Sequence, residues 1–266
     1  MTLLLAAILP VLAAGGTAPD GSVKLSPPKV QYRPNEASAT RSPWIDANGW
    51  QILRSPGKHY YYDVPANAAG LAAAEAFAYG ANAVVHTDKA GAAEFNRMIE
   101  FLRGVPDADL PVMANIGVID DGSDETGEMM NLLSRRNLLY RIVTAPDPKL
   151  AVSVKPTKAE ASDPSRMAQK IRAQLGDEKR LLRVYGSEVV IARLTGNGTR
   201  ARLHILNYAN RPVVGLRVRV LGSWAKQTVL AFGKPDLKLA DVVVDGAATE
   251  FTLPEAGTYA VVDLNH

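Results

Sequence analysis

The sequence contains no cysteine and only four histidines, at positions 59, 86, 204 and 266. The first absence excludes disulfides, thiolate metal sites, a lipid-carrying cysteine anchor and a cysteine nucleophile. The second leaves too few imidazoles for a zinc cage built from several of them. No block of consecutive Lys and Arg is dense enough to follow a phosphate backbone, so the net charge of +3 is a thin surplus and nucleic acid is not an expected partner. A nucleophile elbow of the GxSxG type and the HExxH pattern are missing, which demotes serine hydrolase and zinc peptidase chemistry. Neither a cofactor nor a metal is expected from this inventory.

What is present begins with an apolar N-terminus. Residues 1–16, MTLLLAAILPVLAAGG, have the length and small-residue ending of a secretory signal peptide, although no Lys or Arg precedes the apolar run. The run is shorter than the roughly 20 apolar residues that span a bilayer, so export without stable membrane insertion is expected. A buried N-terminal helix is the alternative, and Pro10 opposes it. Residues 17–43 are rich in Pro, Ser, Asn and Ala and read as a linker, the alternative being a segment packed along the domain surface through Val30 and Tyr32.

Residues 44–148 alternate helical and strand patterns. Asn67–Tyr79 is Ala-rich with Gly80 where a terminating glycine belongs, Ala83–His86 reads as a strand, and Ala90–Arg103 carries Phe95, Met98, Ile99 and Leu102 at helical spacing. Val112–Ile119 reads as a buried strand, Asp124–Arg136 as a helix and Leu138–Val143 as a strand. This alternation predicts a small doubly wound, flavodoxin-like parallel sheet. A connector with one helix, Ser165–Leu175, occupies 149–178. From 179 to 266, eight short runs rich in β-branched or aliphatic residues, separated by Gly, Asn, Pro or Asp, predict an antiparallel β-sandwich. Within it, Arg and His alternate with apolar residues in RARLHIL and LRVRV, which predicts a solvated face, or a contact for a sugar acid or other anion. The expected fold class is therefore α/β plus all-β, and the oligomeric state is left open.

Chemistry is sought first where a strand enters an acidic, glycine-containing turn, IGVIDDGSDETGE, because open α/β sheets bind ligands at their carboxyl edge. Asp120 and Asp121 are candidate bases, nucleophiles or cation ligands; Ser123 and Glu128 are candidate ligand contacts. Turn formation and complementing of the helix dipole account for the same residues. The acidic loop disfavours phosphate, and neither GxxxxGK nor GxGxxG occurs in it. His86, ending the preceding strand, and Asp63, after three tyrosines, complete a possible acid–base set. Trp44, Trp50 and Tyr61 offer aromatic faces to a sugar ring, or simply pack.

The segment from Trp44 to Val143, with WIDANGW, LAAAEAFAYGANAVV, ANIGVIDDGS and MMNLLSRRNLLYRIV, resembles the glutamine-amidotransferase-like α/β domain of secreted, multidomain glycoside-hydrolase-like proteins. The tail from Leu181 is similar to the β-sandwich that closes many such carbohydrate-active proteins. The resemblance implies a domain that has commonly lost its Cys nucleophile, beside a barrel that carries the catalytic carboxylates and for which this chain offers no room. An exported, carbohydrate-associated protein with a binding or scaffold role is therefore expected, with a glycan or polysaccharide as partner. The competing expectation is an exported glycosidase-like hydrolase using Asp120 or Asp121 with His86 or Asp63.

Overall fold

The computed structural model describes residues 12–14, 18–31, 43–106 and 109–266. It is an α/β region with parallel sheets, joined to an antiparallel β-sandwich. Four parallel strands form the first sheet: β1 (Leu12–Ala14), β2 (Val23–Leu25), β5 (His59–Asp63) and β6 (Asn82–His86), in the order β1-β6-β5-β2. Between β2 and β5 lie β3 (Lys29–Gln31) and β4 (Trp44–Asp46), an antiparallel pair, and the short helix α1 (Gly49–Arg54). Two of the strands, β2 and β3, come from the segment whose composition predicts a linker. Moreover, β1 lies within the stretch that predicts a signal peptide, pairing with β6; residues 1–11 and 15–16 of that stretch are outside the described residues.

Helix α2 (Ala66–Tyr79) follows β5, and α3 (Lys89–Arg103) follows β6. Gly80 ends α2 in the left-handed region at φ 67°, where a glycine pays no Cβ penalty, and its N–H satisfies the last carbonyls. Asp88 caps α3 by accepting the Gly91 N–H. One face of α3 buries Phe95, Met98 and Leu102, each contributing about 1.5–3 kcal/mol of apolar burial, with Ile99 and Phe101 partly buried beside them, while Lys89, Glu94, Arg97, Glu100 and Arg103 carry the charged face. By contrast, α2 is buried nearly all round, because Ala69, Ala72, Ala73, Ala74 and Ala76 let neighbours approach from every side.

A second parallel sheet, ordered β8-β7-β9, contains β7 (Ile116–Ile119), β8 (Tyr140–Val143) and β9 (Val152–Val154). Helices α4 (Asp124–Arg135) and α6 (Pro164–Leu175) bury Met129, Met130, Met167 and Ile171 in one core with Ile116 and Val118; the one-turn α5 (Lys158–Ala161) lies between β9 and α6. The apolar run from Val112 is shorter as a strand of this sheet than its composition predicts. Residues 111–113 leave to pair with the sandwich, and only 116–119 join the parallel ladder.

The sandwich has two four-stranded antiparallel sheets. One is ordered β10-β13-β16-β15, from Leu182–Tyr185 (β10), Val213–Leu221 (β13), Ala240–Val244 (β15) and Ala248–Ala256 (β16). The other is ordered β11-β12-β17-β14, from Val190–Gly196 (β11), Arg200–Asn207 (β12), Lys226–Ala231 (β14) and Tyr259–Asn265 (β17). Strand alternation sends Leu194, Leu203, Ile205 and Val262 inward against Val218, Phe251 and Leu253 of the facing sheet.

The opposite face of β11, β12 and β17 is not solvated, contrary to the Arg/His alternation in the sequence. It packs on α2 and α3, so that Ile191, Leu206, Tyr208, Tyr259 and Val261 share a core with the helices and the first parallel sheet. The charged and polar side chains there are held by protein partners, although Arg193 Nε makes no hydrogen bond. Arg202 makes a bidentate pair with Asp263, at 2.6 and 2.8 Å, and donates to the Pro106 carbonyl at 2.7 Å. His204 Nδ1 lies 2.7 Å from the Tyr259 hydroxyl, and burial, then the charges of Arg193 and Arg202, hold its pKa well below the usual histidine value. Arg193 donates to the Ala78 carbonyl and lies over the Tyr79 ring, a cation at the carboxyl end of α2.

Two further devices join the halves. The outer edge of β11 is occupied along its length: Asn137 donates to the Val190 carbonyl at 3.0 Å and accepts the Ala192 N–H at 2.7 Å, then Met113 N–H donates to Leu194 and Gly196 N–H to Pro111. Asn137 holds a positive φ of 51° to do so. The other device is Glu75, fully buried on α2. Its Oε1 accepts the Asn48 backbone N–H at 2.8 Å and the Tyr208 hydroxyl at 2.6 Å; its Oε2 accepts Asn48 Nδ2 at 2.8 Å and the Tyr62 hydroxyl at 2.9 Å. Burial raises the Glu75 pKa, against the four donors, which lower it.

Candidate functional site

The candidate carboxylates and histidine separate into two groups, one at the carboxyl edge of each parallel sheet. Asp63 and His86 end the neighbouring strands β5 and β6 in register, and His86 Nδ1 lies 2.9 Å from Asp63 Oδ1. The His86 contact is the chief reason the Asp63 carboxyl titrates below its usual range. Tyr61, two residues before Asp63 and on the same strand face, stacks on His86 with ring centroids 6.4 Å apart. This trio is solvent-facing, both partners of the pair being about half exposed.

Asp120 and Asp121 follow β7 in the other sheet, and no hydrogen bond or ion pair among the described residues joins them to Asp63 or His86. Asp120 is gripped by Arg54 from α1, whose Nη2 is 2.9 Å from Oδ1 and whose Nε is 2.8 Å from Oδ2. Arg54 also donates to the Ser123 carbonyl at 2.9 Å, and Asp120 Oδ1 accepts the Gly122 N–H at 3.0 Å. Asp121 closes the turn by accepting both the N–H and the hydroxyl of Ser123, at 3.0 and 2.7 Å. These bonds, the hydroxyl first, lower the Asp121 pKa to about 2. Ser123 in turn caps α4 by accepting the Thr126 N–H at 3.2 Å. The acidic loop is thus a hydrogen-bonded strand-to-helix turn.

Trp50 belongs to this same support. Its ring lies under the Arg54 guanidinium, 5.2 Å from ring centroid to Cζ, and against Gly127 of α4, where an added Cβ would fall 2.6 Å from Cζ3. Among the described residues no group of three or more His, Asp or Glu comes together in a way that could hold a metal ion.

Trp44 and Glu128, the two remaining sequence candidates, converge on a cleft of about 600 Å³ between the end of α4, α6 and β10. Trp44 is fixed by its indole N–H donating to Asp46 at 2.9 Å and by Arg135, whose Cζ lies 4.4 Å from the ring centroid. Burial raises the Glu128 pKa, while the Arg135 charge lowers it. The rest of the lining was not anticipated: Arg135, Arg136, Arg172, Arg180 and Arg183 face the same space, with Tyr185 and Glu188. Two of these arginines sit side by side in MMNLLSRRNLLYR and two in EKRLLRVY, but they come from the end of α4, from α6, and from β10 with the turn before it, which only packing brings together. A patch assembled this way leaves no run of basic residues in the sequence.

Four of the five arginines are committed to protein acceptors. Arg135 donates to the Pro43 carbonyl at 3.1 Å. Arg172 makes a bidentate pair with Asp177 at 2.8 and 2.7 Å. Arg180 donates to the Arg136 carbonyl at 3.2 Å, supporting the end of α4, and Arg183 reaches the Asp177 carbonyl and Glu178, both at 2.9 Å. The Arg136 side chain has no hydrogen bond or ion pair among the described residues. Its pKa is lowered by partial burial first and by the Arg172 charge second.

No protein-family model matches this sequence, and no curated protein sequence is similar to it. Among solved structures the chain is similar to alpha-L-fucosidase isoenzyme 2 from Paenibacillus thiaminolyticus, with a TM-score of 0.59 and 8% identity over 79% of this chain and 61% of that one. A cycloisomaltooligosaccharide glucanotransferase from Paenibacillus sp. matches over 55% of this chain and 27% of its own at 12% identity, but its TM-score of 0.25 carries no structural argument. The chain thus spans less than two thirds of the length of either, and what it shares with the fucosidase is its fold.

Proposed function

We propose that this chain is an exported, carbohydrate-associated protein that binds or scaffolds glycan, its α/β region being a degenerate amidotransferase-like domain. The observation that carries this reading is the commitment of the acidic loop. Both oxygens of Asp120 face Arg54, and Asp121 is locked in its own turn, so the carboxylates best placed for hydrolysis are occupied by protein donors. The absence of cysteine in the sequence removes an amidotransferase nucleophile. The fold shared with a fucosidase and the aromatic-edged cleft at Trp44 and Tyr185 support a sugar as ligand. Export rests on the apolar N-terminus, and the pairing of β1 means that cleavage after residue 16 would uncover one edge of β6.

Glycan-array binding and polysaccharide pull-down with the purified protein test this reading; failure to bind any glycan would overturn it. A glycosidase-like activity is favoured by one observation, the His86–Asp63 pair, in which Asp63 orients the ring through Nδ1 and leaves Nε2 for proton transfer. Turnover of aryl glycosides that disappears in His86→Ala would establish that activity instead.

A further inference from the structure

We propose that the cleft between α4, α6 and β10 binds an acidic saccharide, with a sugar carboxylate paired to Arg136 and the ring against Trp44 and Tyr185. This deepens the glycan-binding reading and rests on it. Five arginines line the cleft against two glutamates, Glu128 and Glu188, and the acids that neutralise Arg172 and Arg183, Asp177 and Glu178, are drawn from outside the lining. The guanidinium left over, Arg136, is partly buried on the same lining as Arg172, and both its burial and the Arg172 charge disfavour its cation, which an incoming anion would offset. A planar guanidinium matches a carboxylate through two parallel N–H donors, which a neutral sugar cannot use in the same way. Room is sufficient, since a space of about 600 Å³ falls within the range of small-ligand sites. Two aromatic residues on the same lining supply faces for a pyranose ring, and Tyr185 is 42% exposed, so its ring is accessible.

The fixed arginines have a defined part in this. Arg180 and Arg172, held by the Arg136 carbonyl and by Asp177, are fixed walls of the cleft, so little ordering is required when the ligand arrives. Arg136 is the group that makes the new contact. Because it lies just beyond the last residue of α4, with Arg180 already supporting that helix end through its carbonyl, its side chain can be changed without removing a structural hydrogen bond.

Calorimetric titration of the full chain with trigalacturonate, with a sulfated trisaccharide and with neutral cellotriose tests the proposal. Trigalacturonate is expected to bind at least about tenfold more tightly than cellotriose, with affinity falling as salt rises. Arg136→Gln should lower that affinity by about tenfold or more at an unchanged melting temperature, Arg136→Lys should restore part of it, and Tyr185→Ala should weaken it independently. Equal affinity for cellotriose would overturn the acidic-ligand assignment while leaving the glycan-binding reading intact. Binding of neither sugar would count against both. Acidic binding unaffected by Arg136→Gln would overturn the site, and preference for the sulfated sugar would overturn the carboxylate.

Discussion

Glu75 provides the most demanding test of how the two halves are held together. Its carboxylate meets four donors and no cation, and the donors come from the loop before α1, from β5 and from the sandwich. In Glu75→Gln one oxygen becomes an NH2 group, and whichever oxygen is replaced, it faces an Asn48 donor that cannot turn. The Tyr62 and Tyr208 hydroxyls can rotate to accept; the Asn48 backbone N–H cannot, and the Asn48 amide is fixed by its exchange with Ser26 at 3.2 and 3.0 Å. One buried donor is therefore stranded, at a cost of about 1–3 kcal/mol. Glu75→Ala strands donors on both sides and leaves a cavity, so about 4–5 kcal/mol is expected. For a chain of this size each kcal/mol moves the midpoint by about 2–4 °C, which puts the Ala variant roughly 10 °C or more below wild type in thermal melting.

The pH dependence fixes the sign independently. Burial raises the Glu75 pKa in the fold, so the native state holds that proton more tightly than the unfolded chain does. The resulting stability is fully present below the unfolded carboxyl pKa and is lost as pH rises through the folded one. Wild type should accordingly lose stability relative to Glu75→Gln on going from about pH 4 upward. Chemical denaturation of both proteins across that range measures it. A Glu75→Ala variant within about 1 kcal/mol of wild type, or a wild type gaining on the Gln variant as pH rises, would refute the network as a buried interdomain tie.

Other substitutions test the acidic loop. Asp120→Asn should lower stability by about 2–3 kcal/mol in urea denaturation, since it leaves the mostly buried Arg54 with a neutral partner; loss of an enzymatic activity at unchanged stability would contradict the structural assignment. Asp121, with a pKa of about 2, contributes stability above pH 4 that is lost as pH falls toward 2, so Asp121→Asn should flatten the acid limb of a melting-temperature profile. Gly127→Ala drives a Cβ into the Trp50 ring and should cost about 1–3 kcal/mol, with a change in tryptophan fluorescence as that ring shifts.

Local signals were sufficient for much of the fold. The helix ending at Gly80, the α3 face of Phe95, Met98 and Leu102, and the β-branched runs after residue 179 are all decided by neighbours a few positions away, and the structure places elements there. What the sequence conceals depends on distant partners. Asp120 looks like a free carboxylate until Arg54, 66 positions earlier, is folded against it. Arg202 and His204 look solvated because period-2 alternation marks a polar face without saying whether another layer covers it. Residues 23–25 and 29–31 are too short and too interrupted by Pro to register as strands, yet ladder partners recruit them. The arginine cleft is hidden for the same reason: it is made by the meeting of α4, α6 and β10.

Helix α2 carries a consequence for the order in which the chain acquires its form. Being buried nearly all round, it needs both the first parallel sheet and the sandwich before its surface is fully covered, and the residues that complete the cover extend to Val261. A ribosome adding about 5–20 residues per second reaches that point some ten seconds or more after α2 itself has emerged. Throughout that interval the first half has an uncovered alanine surface and an unfilled hydrogen-bond acceptor at Glu75. The cover of the N-terminal half is therefore completed only by the last strands of the chain.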